Sequence, residues 1–161
     1  MKRDPKTLEH EAFIALQRLA GRLVSETERF LRPWSLSASQ LNALRILRGA
    51  APGGLSCREV AERMITRDPD VTRLLDRLEK MRLVKRTRES TDRRVIRTRI
   101  TGDGLALLER IDRPLAELHL RQLGHLGPDR LRSLLALLDA AGDRGDEDPD
   151  PKPENNEALH R

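Results

Sequence analysis

The sequence predicts a mainly α-helical domain carrying one small β-hairpin, and three observations lead there. Leucine occurs 28 times in 161 residues and the only aromatics are Phe13, Phe30 and Trp34, so the core is built largely from a good helix former. Apolar residues recur at helical spacing along most of the chain, behind recognisable helix starts. Only between Leu83 and Ile100 does the period change to alternation among β-branched residues. A chain of this length fits one compact domain.

Residues from about Thr7 to Leu31 form an amphipathic pattern, with Leu16, Leu19, Ala20 and Leu23 on its apolar face. Ser37 with Gln40 makes a capping box, stapled by Leu36 and Leu41, and opens a helix through Leu44 and Leu47 that stops near Gly49. Pro52, Gly53 and Gly54 make a turn. Ser56 with Glu59, stapled by Leu55 and Val60, opens a short helix that includes Ala61 and Met64. Asp68 and Pro69 supply a cap and a first-turn proline for the next helix, where Val71, Leu74, Leu75 and Leu78 share one face through about Met81. Leu83–Glu89 and Val95–Ile100 then read as two strands, with Ile96, Thr98 and Ile100 on one side and Arg97 and Arg99 on the other. Their tip, Ser90 to Arg94, is too long for a two-residue turn, so a projecting loop is expected. Thr101 caps a long helix, with Ile100 and Leu105 as its staple. Pro114 lies inside that helix, costs roughly 3 kcal/mol there, and predicts a kink or break. Gly127-Pro128 starts a last helix carrying Leu131, Leu134, Leu135 and Leu138. Residues 143–161, rich in proline and acid, cannot repay their ordering entropy by burial and read as a disordered tail.

Charge is segregated along this order. The tail has seven acids against three bases, a net of −4, and the first 142 residues carry +9. Eight bases and two acids fall between Arg82 and Arg99, so +6 is packed into 18 residues. An overall charge of +5 and a pI near 10.1 point to a polyanionic partner, nucleic acid or an acidic membrane surface. No apolar run approaches the roughly 20 residues of a membrane span, and the polar start does not resemble a signal peptide. The expected location is cytoplasmic and nucleoid-associated, with no membrane partner. Cys57 alone makes no disulfide or cysteine-only zinc site, and His10, His119, His125 and His160 lack metal-ligand spacing, so neither metal nor cofactor is expected. Cys57 follows a helix cap beside Arg58, which would suit redox sensing, but a quiet packed thiol is the reading preferred. Neither a nucleophile with a nearby base, nor paired carboxylates, nor a phosphate-cradling glycine loop marks an enzyme.

Two helices across a short turn followed by an arginine-rich hairpin form a winged helix-turn-helix. Its second helix enters the DNA major groove, and its wing reaches phosphates or the minor groove. With the apolar face of that helix buried, Asp70, Thr72, Arg73, Asp76, Arg77 and Lys80 face outwards. Arg73 and Arg77, one turn apart, can each bond guanine O6 and N7, or else stay solvated or paired with Asp70 and Asp76. Asp70 either accepts from cytosine N4 or complements the helix dipole, and the dipole is preferred. Arg67, Asp70, Thr72, Arg73, Arg77 and Lys80 are the candidate DNA contacts of this helix. Arg86, Arg88, Asp92, Arg93, Arg94 and Arg97 are those of the wing. Asp92 can hold Arg94 extended into a narrow minor groove, where Arg93 or Arg94 reads its width. Ser37 and Ser56, at helix N-termini, are candidate phosphate contacts.

Val71-Thr72-Arg73-Leu74-Leu75-Asp76-Arg77-Leu78-Glu79-Lys80, Leu83-Val84-Lys85-Arg86, Asp92-Arg93-Arg94 and Ile100-Thr101-Gly102-Asp103-Gly104 follow one another in an order that resembles the MarR family of bacterial transcription regulators, and Leu36-Ser37-Ala38-Ser39-Gln40 fits it too. The resemblance covers about residues 7–142. It implies a homodimer, with helices at about 7–31 and 101–142 as the dimerisation platform and a DNA-binding lobe at about 36–100. It also implies a pocket for a small aromatic or phenolic effector. Phe30, Trp34 and Leu36 either line that pocket or are simple core. Two departures stand out. Arg82 occupies a position that is usually glycine, at a cost of roughly 1–2 kcal/mol if the left-handed backbone is kept, and Arg67-Asp68-Pro69-Asp70 is unusually acidic. The function expected is a sequence-specific, ligand-responsive repressor binding a pseudo-palindromic operator in double-stranded DNA. The alternative is a non-specific or architectural nucleic-acid-binding protein.

Overall fold

The computed structural model describes residues 7–50, 52–65, 70–88 and 96–143. The chain divides into two compact units, Met1–Gln122 and Leu123–Arg161. In the first unit, α1 (Leu8–Leu31) opens at Thr7, whose hydroxyl accepts the His10 N–H, and runs into a 3-10 turn at Arg32–Trp34. Then come α2 (Ala38–Arg48), α3 (Cys57–Arg63), α4 (Val71–Lys80), β1 (Val84–Arg88), β2 (Ile96–Ile100) and α5 (Gly102–Leu123). In the second unit, a 3-10 turn at Gly124–Leu126 leads into α6 (Gly127–Gly142). Helices with one small antiparallel hairpin are the fold class that the composition and periods predict.

Both capping boxes form as the spacing requires. The Ser37 hydroxyl accepts the Gln40 N–H at 3.1 Å while Gln40 Oε1 accepts the Ser37 N–H at 2.9 Å. Ser56 and Glu59 make the same reciprocal pair at 3.2 and 2.8 Å. The core they close contains Leu44, Val60, Leu75 and Leu78, completed from α5 by Leu108, Ile111 and Leu115. Buried positions on α5 fall at Gly104, Leu108, Ile111, Leu115, Leu118 and Gln122, a narrow seam of alternating four- and three-residue steps.

Four local details refine the expected elements. The cap of α4 is Asp70, whose carboxylate accepts the Arg73 N–H at 3.0 Å, two residues later than the Asp68 expected; Asp68 and Pro69 lie outside the described residues. Pro114 does not break α5, because Leu108 and Ile111 before it and Leu115 and Leu118 after it are held by the same core. Thr101 does cap α5, accepting the Gly104 N–H at 3.1 Å, but Leu105 remains 39% exposed and makes a poor staple. Instead Gly104 sits where an added Cβ would lie 2.3 Å from the Leu83 carbonyl oxygen and 2.7 Å from the Ile100 side chain, so α5 begins hard against the exit of α4. Finally, the hairpin gains a third partner: Leu55 and Thr98 exchange backbone hydrogen bonds of 3.0 and 2.7 Å. Gly54 makes that approach possible, at φ +73° and with only 2.6 Å between a notional Cβ and the Thr98 oxygen.

Arg82 keeps the left-handed backbone, at φ 61°. Its N–H donates to the Glu79 carbonyl and the Leu83 N–H to the Leu78 carbonyl, the paired bonds of a Schellman motif with arginine in the glycine position. The Thr101 hydroxyl then donates to the Arg82 carbonyl at 2.7 Å, holding the strained residue in place.

Two predictions follow from these local geometries. Arg82→Gly should stabilise the fold by about 1 kcal/mol, raising the midpoint of thermal unfolding followed by circular dichroism by about 2–4 °C; an unchanged or lower midpoint would show that the left-handed residue is unstrained. For Glu59, the Ser56 cap bonds, with a smaller contribution from the Arg97 and Arg63 guanidinium groups, hold the carboxyl below its usual 4.5. A carboxylate depressed on folding stabilises the native state above its unfolded pKa and loses that contribution as pH falls through the folded one. Denaturant titrations of wild type and Glu59→Gln should differ by a constant amount above pH 4.5 and converge below it. A gap that persists into strong acid would assign the effect to shape rather than charge.

Candidate nucleic-acid interface

The spacing of α4 divides it into two faces. Val71, Leu74, Leu75 and Leu78 are buried, and Thr72, Arg73, Arg77 and Lys80 are exposed on the other side. Arg73 Nε lies 3.0 Å from Asp70 Oδ2, but the Arg73 side chain is 79% exposed, so the pair is worth only about 0–1 kcal/mol and gives way easily to a better acceptor. Arg73 and Arg77 border a polar cavity of about 260 Å³, completed by Ser37, Ser39 and Gln40 of α2 and its N-cap and by Asp70 and Leu74. Two arginines thus border a cavity at the N-terminal end of α2.

The acids of α4 have a different use from the one expected of an outward face. Asp76 bonds the Arg86 guanidinium, and Glu79 lies 3.4 Å from Arg86 Nε while its Oε1 accepts the Arg86 N–H at 3.0 Å. Arg86 is left only 18% exposed. On β2, Arg97 Nη1 meets Glu59 Oε2 at 2.6 Å, tying the wing to the cap of α3. Arg99 donates to the Pro52 carbonyl at 2.8 Å and to the Thr87 hydroxyl at 2.9 Å. Of the wing arginines expected to face DNA, then, Arg86 and Arg97 have guanidinium groups engaged by carboxylates, and Arg88 does not. No carboxylate among the described residues pairs with Arg77, Lys80, Lys85 or Arg88, and all four are exposed. Arg67, Asp92, Arg93 and Arg94 lie outside the described residues.

Sequence reading missed the anchoring role of Glu59, Asp76 and Glu79, although part of the signal was present. Strand alternation puts Arg86 on the same face as Val84, which is buried, so its charge had to meet a partner.

Ser37 and Ser56 both use a hydroxyl lone pair for capping and keep a proton to donate. At α2 the Ala38 N–H is already taken by Glu28 Oε1 of α1, at 2.8 Å. The three residues expected around an effector belong to one hydrophobic cluster, and only one of them lines a cavity. Leu36 is core; Trp34 packs on Phe30 with ring centroids 5.0 Å apart; Phe30 alone lines a cavity of about 460 Å³, with Glu26, Arg29, Leu118, Arg121 and Gln122. Cys57 is half-buried, its Sγ 3.5 Å from the Thr72 hydroxyl, in a cleft of about 410 Å³ between α3, α4 and the wing. Among the described residues no helix is long and apolar enough to cross a membrane, and no three His, Cys, Asp or Glu side chains gather as a metal site.

Comparison with known proteins agrees with this architecture. The MarR family profile matches residues 34–95. The HTH-type transcriptional repressor MdtR of Bacillus subtilis (strain 168) is 34% identical over 91 residues, which span 56% of this chain and 57% of that repressor's length. The crystal structure of a MarR transcription factor from Planctomyces limnophilus is 39% identical, with a TM-score of 0.66 over 86% of this chain and 99% of that one. A mutant MarR from E. coli, solved in complex with operator DNA, shares the fold at 21% identity, with a TM-score of 0.76 over 86% of this chain and 99% of its own. With this fold, an arginine-bearing helix beside a wing, and a 39% identical relative matched along nearly its whole length, the chain belongs to the MarR family of transcription regulators.

Proposed function

We propose that this chain is a sequence-specific DNA-binding repressor that acts as a homodimer on a pseudo-palindromic operator and responds to a small ligand. The observation that carries the reading is the division of charge around α4. Its acids turn towards the wing while Arg77, Lys80, Lys85 and Arg88 stay exposed with no carboxylate partner among the described residues, so the helix and the wing present one cationic face. In this reading Thr72, Arg73 and Arg77 meet base edges, and Arg67, Lys80, Arg88, Arg93 and Arg94 meet phosphates or the minor groove. Ser37 and Ser56 donate to backbone phosphates, the first from the rim of the cavity shared by Arg73 and Arg77.

A second copy is the partner that the apolar surface asks for. On α1, Phe13, Leu16 and Val24 are 56%, 44% and 55% exposed, and only Leu31 is fully buried. On α6, Leu135, Leu137 and Leu138 are exposed in the same way. Large apolar side chains left exposed on each of these helices are what a dimer interface would cover. Two copies related by a two-fold axis would set their α4 helices in successive major grooves, about 34 Å apart. The effector site of this reading is the cavity beside Phe30, where a ring can stack and Arg29 and Arg121 can meet a negative group.

The test is selection of duplexes from a random pool by the full chain, followed by titrations over a range of salt. A regulator prefers its selected sequence by at least about a thousandfold; a ratio near one would assign a non-specific architectural role instead. Arg73→Ala should cut that preference by about 1–3 kcal/mol at one position, whereas Arg94→Ala should weaken every duplex and lower the slope of log affinity against log salt by about 1. Equal losses on selected and random DNA for both variants would refute the division of roles.

A further inference from the structure

Asp112 lies on α5, is not among the residues assigned a DNA contact, and is bonded by two arginines of α2. Its Oδ1 accepts from Arg45 Nη2 at 2.6 Å and its Oδ2 from Arg48 Nη1 at 2.5 Å. Both arginines belong to α2, three residues apart and so on neighbouring positions of one face. Each takes a separate oxygen of one carboxylate, so the contact fixes an orientation as well as a distance, which a single ion pair does not. The Arg48 bond first, then the Arg45 bond, hold the Asp112 carboxyl below its usual 3.8, so it stays charged at any neutral pH.

The apolar seam beside it does not supply that constraint. Leu108, Ile111 and Leu115 hold α5 against the lobe through apolar contacts, which are non-directional, whereas a two-oxygen carboxylate contact fixes an orientation. At the start of α5 the lobe is attached again, where Gly104 abuts the Leu83 carbonyl and the Thr101 hydroxyl bonds the Arg82 carbonyl. That attachment and Asp112 stand about 12 Å apart along the helix at 1.5 Å per residue. Two separated fixed points define an angle; either alone leaves a hinge.

We propose that Asp112 is a positioning residue that sets the angle between the DNA-reading lobe and α5, and with it the half-site spacing that the paired chains accept. The proposal rests on the DNA-binding reading above. α2, whose C-terminal turn it holds, carries Ser37, Ser39 and Gln40 at its other end, beside Arg73 and Arg77. A rotation about the Gly104 attachment therefore moves the whole reading face without altering any residue in it.

The experiment uses the full chain, the duplex that it selects from a random pool, and versions of that duplex with one base pair added or removed at the centre. Wild type should discriminate strongly against the altered spacings. Asp112→Asn should bind the selected duplex several-fold more weakly and narrow the preference between spacings about tenfold, with an unchanged salt slope because no phosphate contact is lost. In an Arg45→Ala, Arg48→Ala background, adding Asp112→Asn should change nothing further. A variant that loses affinity equally on all spacings, or whose effect persists in that background, would overturn the proposal and leave Asp112 as ordinary surface charge. If wild type binds its selected duplex but ignores spacing, the proposal fails and the DNA-binding reading stands. If no duplex is enriched at all, that reading fails and takes the proposal with it.

Discussion

The wing of this molecule is held to its helices by charge. Arg86, mostly withdrawn from water, is held between Asp76 and Glu79 of α4, and Arg97 is bonded to Glu59 of α3. A guanidinium group in that position without acceptors would carry a desolvation cost of several kcal/mol, so the carboxylates are a condition of the strand lying where it does. The consequence reaches beyond stability. Acids that would repel a polyanion are neutralised at the root of the wing, while Arg77, Lys80, Lys85 and Arg88 stand on exposed positions with no carboxylate partner among the described residues. One set of ion pairs both fixes the relative placement of two elements and sorts the charge between them.

How much of this could be read in advance depended on how far the determining contacts reach along the chain. Ser37 with Gln40 and Ser56 with Glu59 act over three residues, and both boxes form as expected. The buried stripe of α4 is likewise local. Asp70 displaced Asp68 as the cap because neighbouring acids offer the same chemistry, and only the backbone geometry, φ −135° and ψ 60° at Asp70, chooses between them. Leu55 pairing with Thr98 joins residues 43 apart through a single bridge, which leaves no periodicity to detect. At Pro114 the helix runs on without the break for the opposite reason: the local cost is real, but residues on both sides of it pack into one core, and tertiary contact prevails over propensity. Among the site residues, composition could not separate Arg86 and Arg97 from Arg88, since pairing depends on which carboxylates the fold brings near.

Arg82 shows a local rule broken with the geometry intact. The chain must reverse between α4 and β1, and the Schellman bonds from Arg82 and Leu83 require a left-handed residue there. Glycine would take that conformation freely. Arginine takes it under constraint from both sides, with the Thr101 hydroxyl on its carbonyl and the start of α5 packed against Leu83. The strain sits at the junction between the helix and the wing, where a change in backbone angle would alter the relation of the two elements that carry the candidate DNA contacts.

α5 is the element through which these constraints meet. Its first turn abuts the exit of α4; its middle supplies Leu108, Ile111 and Asp112 to the lobe; and near its end the Gln122 amide donates to Glu26 of α1 at 2.9 Å. Leu118, Arg121 and Gln122 line the cavity beside Phe30, within three turns of Asp112. A group bound in that cavity would touch the same helix that orients the lobe, and would do so where the helix is held by a polar contact rather than by packing alone. Such a group changes DNA affinity only insofar as it binds one helix orientation better than another. In the proposed reading, the hydrogen bond of Gln122 with Glu26 would be one contact that depends on how α5 lies against α1. If the proposed ligand site is this cavity, that polar tie between α5 and α1 stands at its wall, where occupancy and the placement of α5 would meet.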